Sequence, residues 1–254
     1  MTNEEKIALF KKEIEYMEIE DFKDFFKKAI TLVPDYFFEV PASSSGKFHS
    51  SLECGYGGLV YHTKSVAKMA NYLVNLQQYK SKLNEAERNC VVCAALLHDC
   101  LKHGVENKTG FSIHHHPVLA AEFVKNNKDL DNILNPDFRN IIADAVASHS
   151  GEWTTSKRSK VILPSPQTLI QELVHLSDYI ASRGDIHILF EDGDNKPKLP
   201  DINTYQLNFG KHKGKTIPEV AITDKGWLTW ALDNITREPL ITMIKNYLDQ
   251  EDDI

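Results

Sequence analysis

No apolar run in this sequence reaches the roughly 20 residues that a helix needs to cross a bilayer. The opening residues, MTNEEKIALFKKE, contain no secretory apolar stretch, so the chain is expected in the cytoplasm. Cysteine is scarce, with only Cys54, Cys90, Cys93 and Cys100. Cys90 and Cys93 form a CxxC inside a helical pattern but lack the second CxxC that would complete a structural zinc site. A cytosolic chain also rarely builds on disulfides, so the thiols read as reduced and buried. Positive charge is in deficit: 29 Lys and Arg face 36 Asp and Glu, for a net charge of −7. That balance excludes a general polyanion-binding coat and leaves only local basic patches for nucleic-acid contact. There is no internal repeat, and no low-complexity tract beyond the acidic tail at 249–253.

What the chain does have is histidine, eleven in 254 residues, much of it beside apolar stripes. Helical periodicity runs through residues 1–40, carried by Ile7, Phe10, Ile14 and Met17, then Phe22, Phe25, Phe26 and Ile30. Pro34 and Pro41 close that region before PASSSGKFHSSLECGYGGL, whose Ser and Gly content predicts a loop. A helix is expected over 59–79, with His62 on the stripe of Val66, Met69, Leu73 and Leu76. The next begins at the capping box Asn84–Glu87 and is expected to end at Gly104. Pro117 suits a first helical turn, which places His116 at or near the N-cap. Further helices are expected over 137–148, ending at His149, and from Ser165–Pro166 to Gly184. In the latter, Asp178 interrupts the stripe of Ile170, Val174 and Ala181.

The stretch ALLHDCLKHG is the most informative. Its apolar run belongs inside a buried helix, yet it delivers His98 and Asp99 together, then Lys102. A buried carboxylate and imidazole are costly unless something pairs with them, and a cation is an effective partner. His62, His98, Asp99, His116, His149 and Asp178 together form an imidazole and carboxylate set without thiolate. Such a set suits Mn²⁺, Fe²⁺, Co²⁺, Ni²⁺ or Mg²⁺ better than structural zinc. Six groups exceed the needs of one ion with open positions and are enough for two ions bridged by Asp99. His114 and His115 compete with His116 for that role. His103 and His175 read as surface or packing residues. Lys47 and His49, in the Ser/Gly loop, either approach a phosphate or belong to a solvated loop.

The blocks GGLVYHT, ALLHDCLK, HHHPVLAAEF, ASHSGEW and LVHLSDYIASR, in that order, resemble the HD superfamily of metal-dependent phosphohydrolases. Among these they look most like YhaM-type 3′-to-5′ exoribonucleases, and the preceding loop is similar to HD proteins of phages and conjugative elements. The resemblance implies an all-α HD-domain helical bundle. It implies that His62, His98, Asp99 and Asp178 bind a first divalent ion and that Asp99, His116 and His149 hold a second. Lys102 would contact substrate phosphate. Apart from the resemblance, Arg183, five residues after Asp178, is expected to assist. The family often has two consecutive histidines where this chain has His149–Ser150.

The C-terminal FGKHKGKTIPEV…KGWLTWALDN resembles the small module of exodeoxyribonuclease-X-like proteins. Lys211, Lys213 and Lys215 among glycines, followed by Trp227 and Trp230, suit a surface that tracks a nucleic-acid backbone and stacks bases. A solvated hairpin over a tryptophan core is the plainer alternative. The expected organisation is N-terminal helices and loop (1–50) packed on an HD domain (51–184), a linker (185–204) with one short strand, and a small α+β module (205–254). The expected function is hydrolysis of phosphoesters in single-stranded DNA, RNA or nucleotides, as in a 3′–5′ exonuclease. The alternatives are a nucleotidase, a cyclic-nucleotide phosphodiesterase, or a catalytically silent binding protein. No membrane partner is expected, and no oligomeric state follows from the sequence.

Overall fold

Helices begin where side chains can satisfy the first backbone N–H groups, and this chain supplies such caps repeatedly. The computed structural model describes residues 1–43, 49–107, 110–186, 199–207, 209–235 and 239–252. Its helices are α1 (Asn3–Ala8), α2 (Lys11–Ile14), α3 (Glu20–Leu32), α4 (Gly58–Asn75), α5 (Gln77–Lys80), α6 (Glu85–Leu97), α7 (His116–Asn126), α8 (Pro136–Ala147), α9 (Leu169–Ala181), α10 (Ile217–Asn234) and α11 (Leu240–Asp252). Reciprocal capping boxes open α1 (Thr2–Glu5), α6 (Asn84–Glu87), α9 (Thr168–Gln171) and α10 (Thr216–Glu219).

α6 is the axis of the fold and packs against α3, α4, α8 and α9. Every residue from Asn89 to Leu97 is buried, as expected of a helix enclosed on all sides. Small residues such as Ala94, Ala95, Cys90 and Cys93 let its neighbours approach closely. All four cysteines are buried and none is in a disulfide, as the sequence suggested. The apolar core runs without a break from Phe10 in the N-terminal helices to Ala181 at the end of α9. Two ties fasten the N-terminal helices to this core. Asn89 on α6 accepts from the backbone N–H of Glu18 and Ile19 at the start of α3. The Tyr36 hydroxyl donates to Gly104 O (2.7 Å) and accepts from His103 N (3.2 Å), pinning the turn that follows α6.

The helix boundaries differ from expectation in three places. α6 stops at Leu97, and residues 98–103 form turns before Gly104, which does take the left-handed conformation (φ 83°). The first long helix ends at Asn75 and is followed by the short α5. α9 starts at Leu169 because Thr168, not Ser165, supplies the cap. His116 lies next to the N-cap, as expected: it is the first residue of α7, and His115 occupies the cap position.

A second cluster of buried residues, from Leu207 to Ile244 and including Trp227, forms around α10 and α11. The expected α+β character of this unit reduces, among the described residues, to one isolated bridge between Gln206 and Thr216. The short strand expected in the linker falls mostly at 187–198, outside the described residues, as does Lys47.

Candidate metal centre

The site is built largely at helix ends. His62 projects from the N-terminal part of α4 and Asp178 from α9. His98 and Asp99 follow the last residue of α6, His116 opens α7, and His149 follows α8. Helix C-termini leave carbonyls without an intrahelical partner, and the imidazoles use them. His98 Nδ1 lies 2.7 Å from Ala95 O, and His149 Nδ1 lies 2.8 Å from Val146 O. His116 makes the same bond to Ile113 O at 2.7 Å. A carbonyl only accepts, so Nδ1 carries the proton in each ring and Nε2 presents its lone pair.

Those lone pairs converge. His116 Nε2 and His149 Nε2 face each other at 3.3 Å, an arrangement that repels unless a cation lies between them. Asp99 directs one oxygen to each side of the site. Its Oδ1 lies 2.9 Å from His116 Nε2 and 3.7 Å from His149 Nε2. Its Oδ2 lies 3.4 Å from His98 Nε2 and 3.8 Å from His62 Nε2. Asp178 Oδ1 completes the second side, at 3.1 Å from His62 Nε2 and 3.8 Å from His98 Nε2. The result is two sets, His62–His98–Asp178 and Asp99–His116–His149, each with ligand atoms close enough to hold one ion. Both His62 ring nitrogens, His98 Nε2 and Asp99 Oδ1 are buried without a hydrogen-bond partner. Buried orphan donors and acceptors of this kind are rare and need an explanation. The donors fit a divalent cation.

Glu53 gave no periodic signal in the sequence, because it sits in a short 3₁₀ turn within a stretch read as loop. Its buried Oε2 accepts from His49 Nδ1 (2.8 Å) and lies 3.5 Å from His62 Nδ1, which turns His62 Nε2 toward the site. Gly58 permits this, since a Cβ there would lie 2.1 Å from Glu53 O. Gly151, at φ 63°, does the same on the other side, where a Cβ would lie 2.2 Å from the His175 ring. His175 Nδ1 in turn bonds His149 O (2.8 Å) and its ring lines the cleft, so it belongs to the site rather than to the surface.

The electrostatics follow from burial opposed by charge. Burial alone would lower the His62 pKa, but the Glu53 and Asp178 carboxylates overcome it and raise it to about 9. Burial would raise the Glu53 pKa, yet His62 and His49 hold it at about 2. Burial and the neighbouring His98 push His149 down to about 3, so it stays neutral. Asp99 and Asp178 are held well below the usual carboxylate range against their burial, Asp99 chiefly by Lys102 and His98, Asp178 chiefly by His62.

The site forms the floor of a cleft of about 410 Å³ that is also lined by His49, Lys102, Trp153 and Arg183. Lys102 Nζ rests on Asp99 Oδ2, and the Arg183 guanidinium lies 4.2 Å from the Tyr179 ring centroid. His114 bonds Val161 O and His103 stacks on Tyr36, away from the convergent set. In the C-terminal unit, Lys211 is engaged by Asp224 at 2.6 Å, while Lys213 and Lys215 are exposed.

Residues 59–183 match the HD domain family, and residues 207–236 match the exodeoxyribonuclease X-like C-terminal family. No curated protein and no solved structure matches the chain. An HD domain is a divalent-metal-dependent phosphohydrolase module, in accord with the two His/Asp clusters. Among the described residues, no helix is long and apolar enough to cross a membrane.

Proposed function

We propose that this chain, which carries an HD domain of the HD superfamily followed by an exodeoxyribonuclease X-like module, is a nuclease that hydrolyses phosphodiesters of single-stranded nucleic acid. The observation that carries this reading is the position of Asp99 between two His-containing clusters at the floor of an open cleft. His62, His98, Asp99 and Asp178 would hold one ion, and Asp99, His116 and His149 the other. When bound, such ions neutralise phosphoryl charge and make water a competent nucleophile at neutral pH.

The remaining work falls to the chain's own groups. Lys102, fixed on Asp99, offers a positive charge where negative charge develops on phosphorus-bound oxygen. Arg183, braced on Tyr179, offers a planar fork for a phosphate. His49 donates its Nδ1–H in a hydrogen bond to Glu53, which leaves Nε2 as a proton acceptor at the cleft. The exodeoxyribonuclease X-like match supports nucleic acid over a free nucleotide, with Lys213 and Lys215 as exposed phosphate contacts. The cleft volume also suits a mononucleotide, which keeps a nucleotidase as the second reading.

The test combines elemental analysis of protein purified without chelator with hydrolysis assays in Mn²⁺ on single-stranded DNA, RNA, deoxynucleoside triphosphates and cyclic dinucleotides. One or two metal ions per chain and shortening of the oligonucleotides are expected. A protein that neither carries nor binds a divalent ion overturns the reading. Turnover of nucleotides alone replaces the nuclease with a nucleotidase.

A further inference from the structure

The segment joining α8 to α9, GEWTTSKRSKVILPSPQT, runs against the charge balance of the chain. Lys157, Arg158 and Lys160 stand beside the single acid Glu152, and all three cations are exposed. The same segment carries Trp153, whose indole lies nearly parallel to the Tyr179 ring, 8° apart with centroids at 5.7 Å. Tyr179 also carries the Arg183 guanidinium, so indole, phenol and guanidinium form one connected stack at the cleft wall. Trp153 nevertheless remains 52% exposed. A ring braced in this way but left half in water is a preformed platform.

Its position relates it to the metal centre. Trp153 lines the metal cleft and also a neighbouring groove of about 670 Å³, which shares His116 and Ser150 with that cleft. Phe111 and Arg158 line the groove, and the same two residues meet His49 and Lys102 in a third recess of about 310 Å³. Cations and aromatic rings therefore surround the mouth of the site. Aromatic faces stack on bases of any identity, and guanidinium groups bind phosphate through two parallel N–H groups.

We propose that this segment forms a nucleotide subsite beside the metal centre, in which Trp153 stacks on a base and Arg158 binds the neighbouring phosphate. It rests on the reading of the centre as a phosphoester hydrolase and adds that the substrate is recognised through its base. Trp153 and Arg158 are binding residues of this subsite.

The test is calorimetric titration of the full chain, kept in EDTA so that nothing is cleaved, with a thymidine trinucleotide and with its analogue lacking all three bases. Trp153→Ala should weaken binding of the trinucleotide by about fivefold or more and leave the abasic analogue unchanged. Trp153→Phe should restore most of the loss, because it keeps a stacking face. Arg158→Ala should weaken both ligands alike and lower the salt dependence by roughly one phosphate contact. Mn²⁺ titration of each variant reports whether the centre is intact. Equal binding of both ligands by the parent protein, or equal losses in Trp153→Ala, overturns the subsite while leaving the hydrolase reading in place. A base-dependent loss in a protein that hydrolyses no phosphoester when loaded with Mn²⁺ upholds the subsite and removes the hydrolase.

Discussion

Replacing Glu53 by Gln isolates the contribution of a single buried charge to the candidate metal centre. The change keeps the side-chain volume and an acceptor for His49, but removes the charge 3.5 Å from His62 Nδ1. At that distance and an effective dielectric of about 20, the pair is worth roughly 5 kcal/mol before desolvation is set against it. That attraction helps to hold the metal-free imidazole at about 9 despite full burial. At pH 7 an arriving ion must therefore displace a proton, a penalty of up to about 2.7 kcal/mol at 1.36 kcal/mol per pKa unit. The parent should accordingly bind Mn²⁺ more tightly as pH rises from 7 to 9, by up to about tenfold per unit. Glu53→Gln lowers the His62 pKa and so flattens this slope. It also removes the carboxylate that orients the ring, a change that typically costs 10- to 100-fold in affinity. The two effects oppose each other at pH 7 and separate at pH 9, where proton competition has faded. Calorimetric Mn²⁺ titration under nitrogen at both values is the assay. A variant that matches the parent at pH 9 and keeps its slope refutes the role assigned to Glu53.

Asp99→Ala, which removes Oδ1 beside His116 and His149 and Oδ2 beside His98 and His62, should abolish hydrolysis with the helical circular dichroism unchanged, whereas His149→Ala should leave residual turnover; steady-state rates on one oligonucleotide compare them. Metal-free protein should be most stable near pH 6.5 in thermal denaturation with EDTA. Below that value the unfolded imidazole of His149 protonates while the folded one, at about 3, does not, so stability falls on acidification. Above it the contribution of His62, fully present below 6.5, is lost as pH rises through about 9; a flat profile counts against both shifts. Gly151→Ala, strained at φ 63° and driven into His175, should cost about 1–3 kcal/mol, read as a lowered midpoint. Replacing Lys211, Lys213 and Lys215 together by Ala should lower the slope of log affinity against log salt by roughly 1.5 to 2 on single strands. The lower figure applies if Lys211 stays engaged with Asp224, and an unchanged slope means that the module does not contact the backbone.

Much of this molecule is written locally. The Asn84–Glu87 box, the left-handed Gly104 and the apolar stripes of α3, α4 and α9 depend on residues within one or two turns of one another, so the sequence alone determined them. The six convergent His and Asp residues were also legible, because each places a costly polar group beside a stripe reserved for apolar ones. Where α6 ends was not legible: its apolar run extends through Cys100 and Leu101, and the chain turns at His98 as Tyr36, far away in sequence, fixes the following turn. Glu53 escaped for the same reason, since its role exists only where a 3₁₀ turn crosses α4 at a glycine. Trp153 and Tyr179 look like an isolated loop aromatic and an ordinary helical residue until the packing of α9 brings them into one stack with Arg183. Periodicity and capping report energies between near neighbours along the chain. The aim of the two Asp99 oxygens and the stacked platform at the cleft wall depend on groups that meet only after α4, α6, α8 and α9 have packed, and the tertiary structure alone decided them.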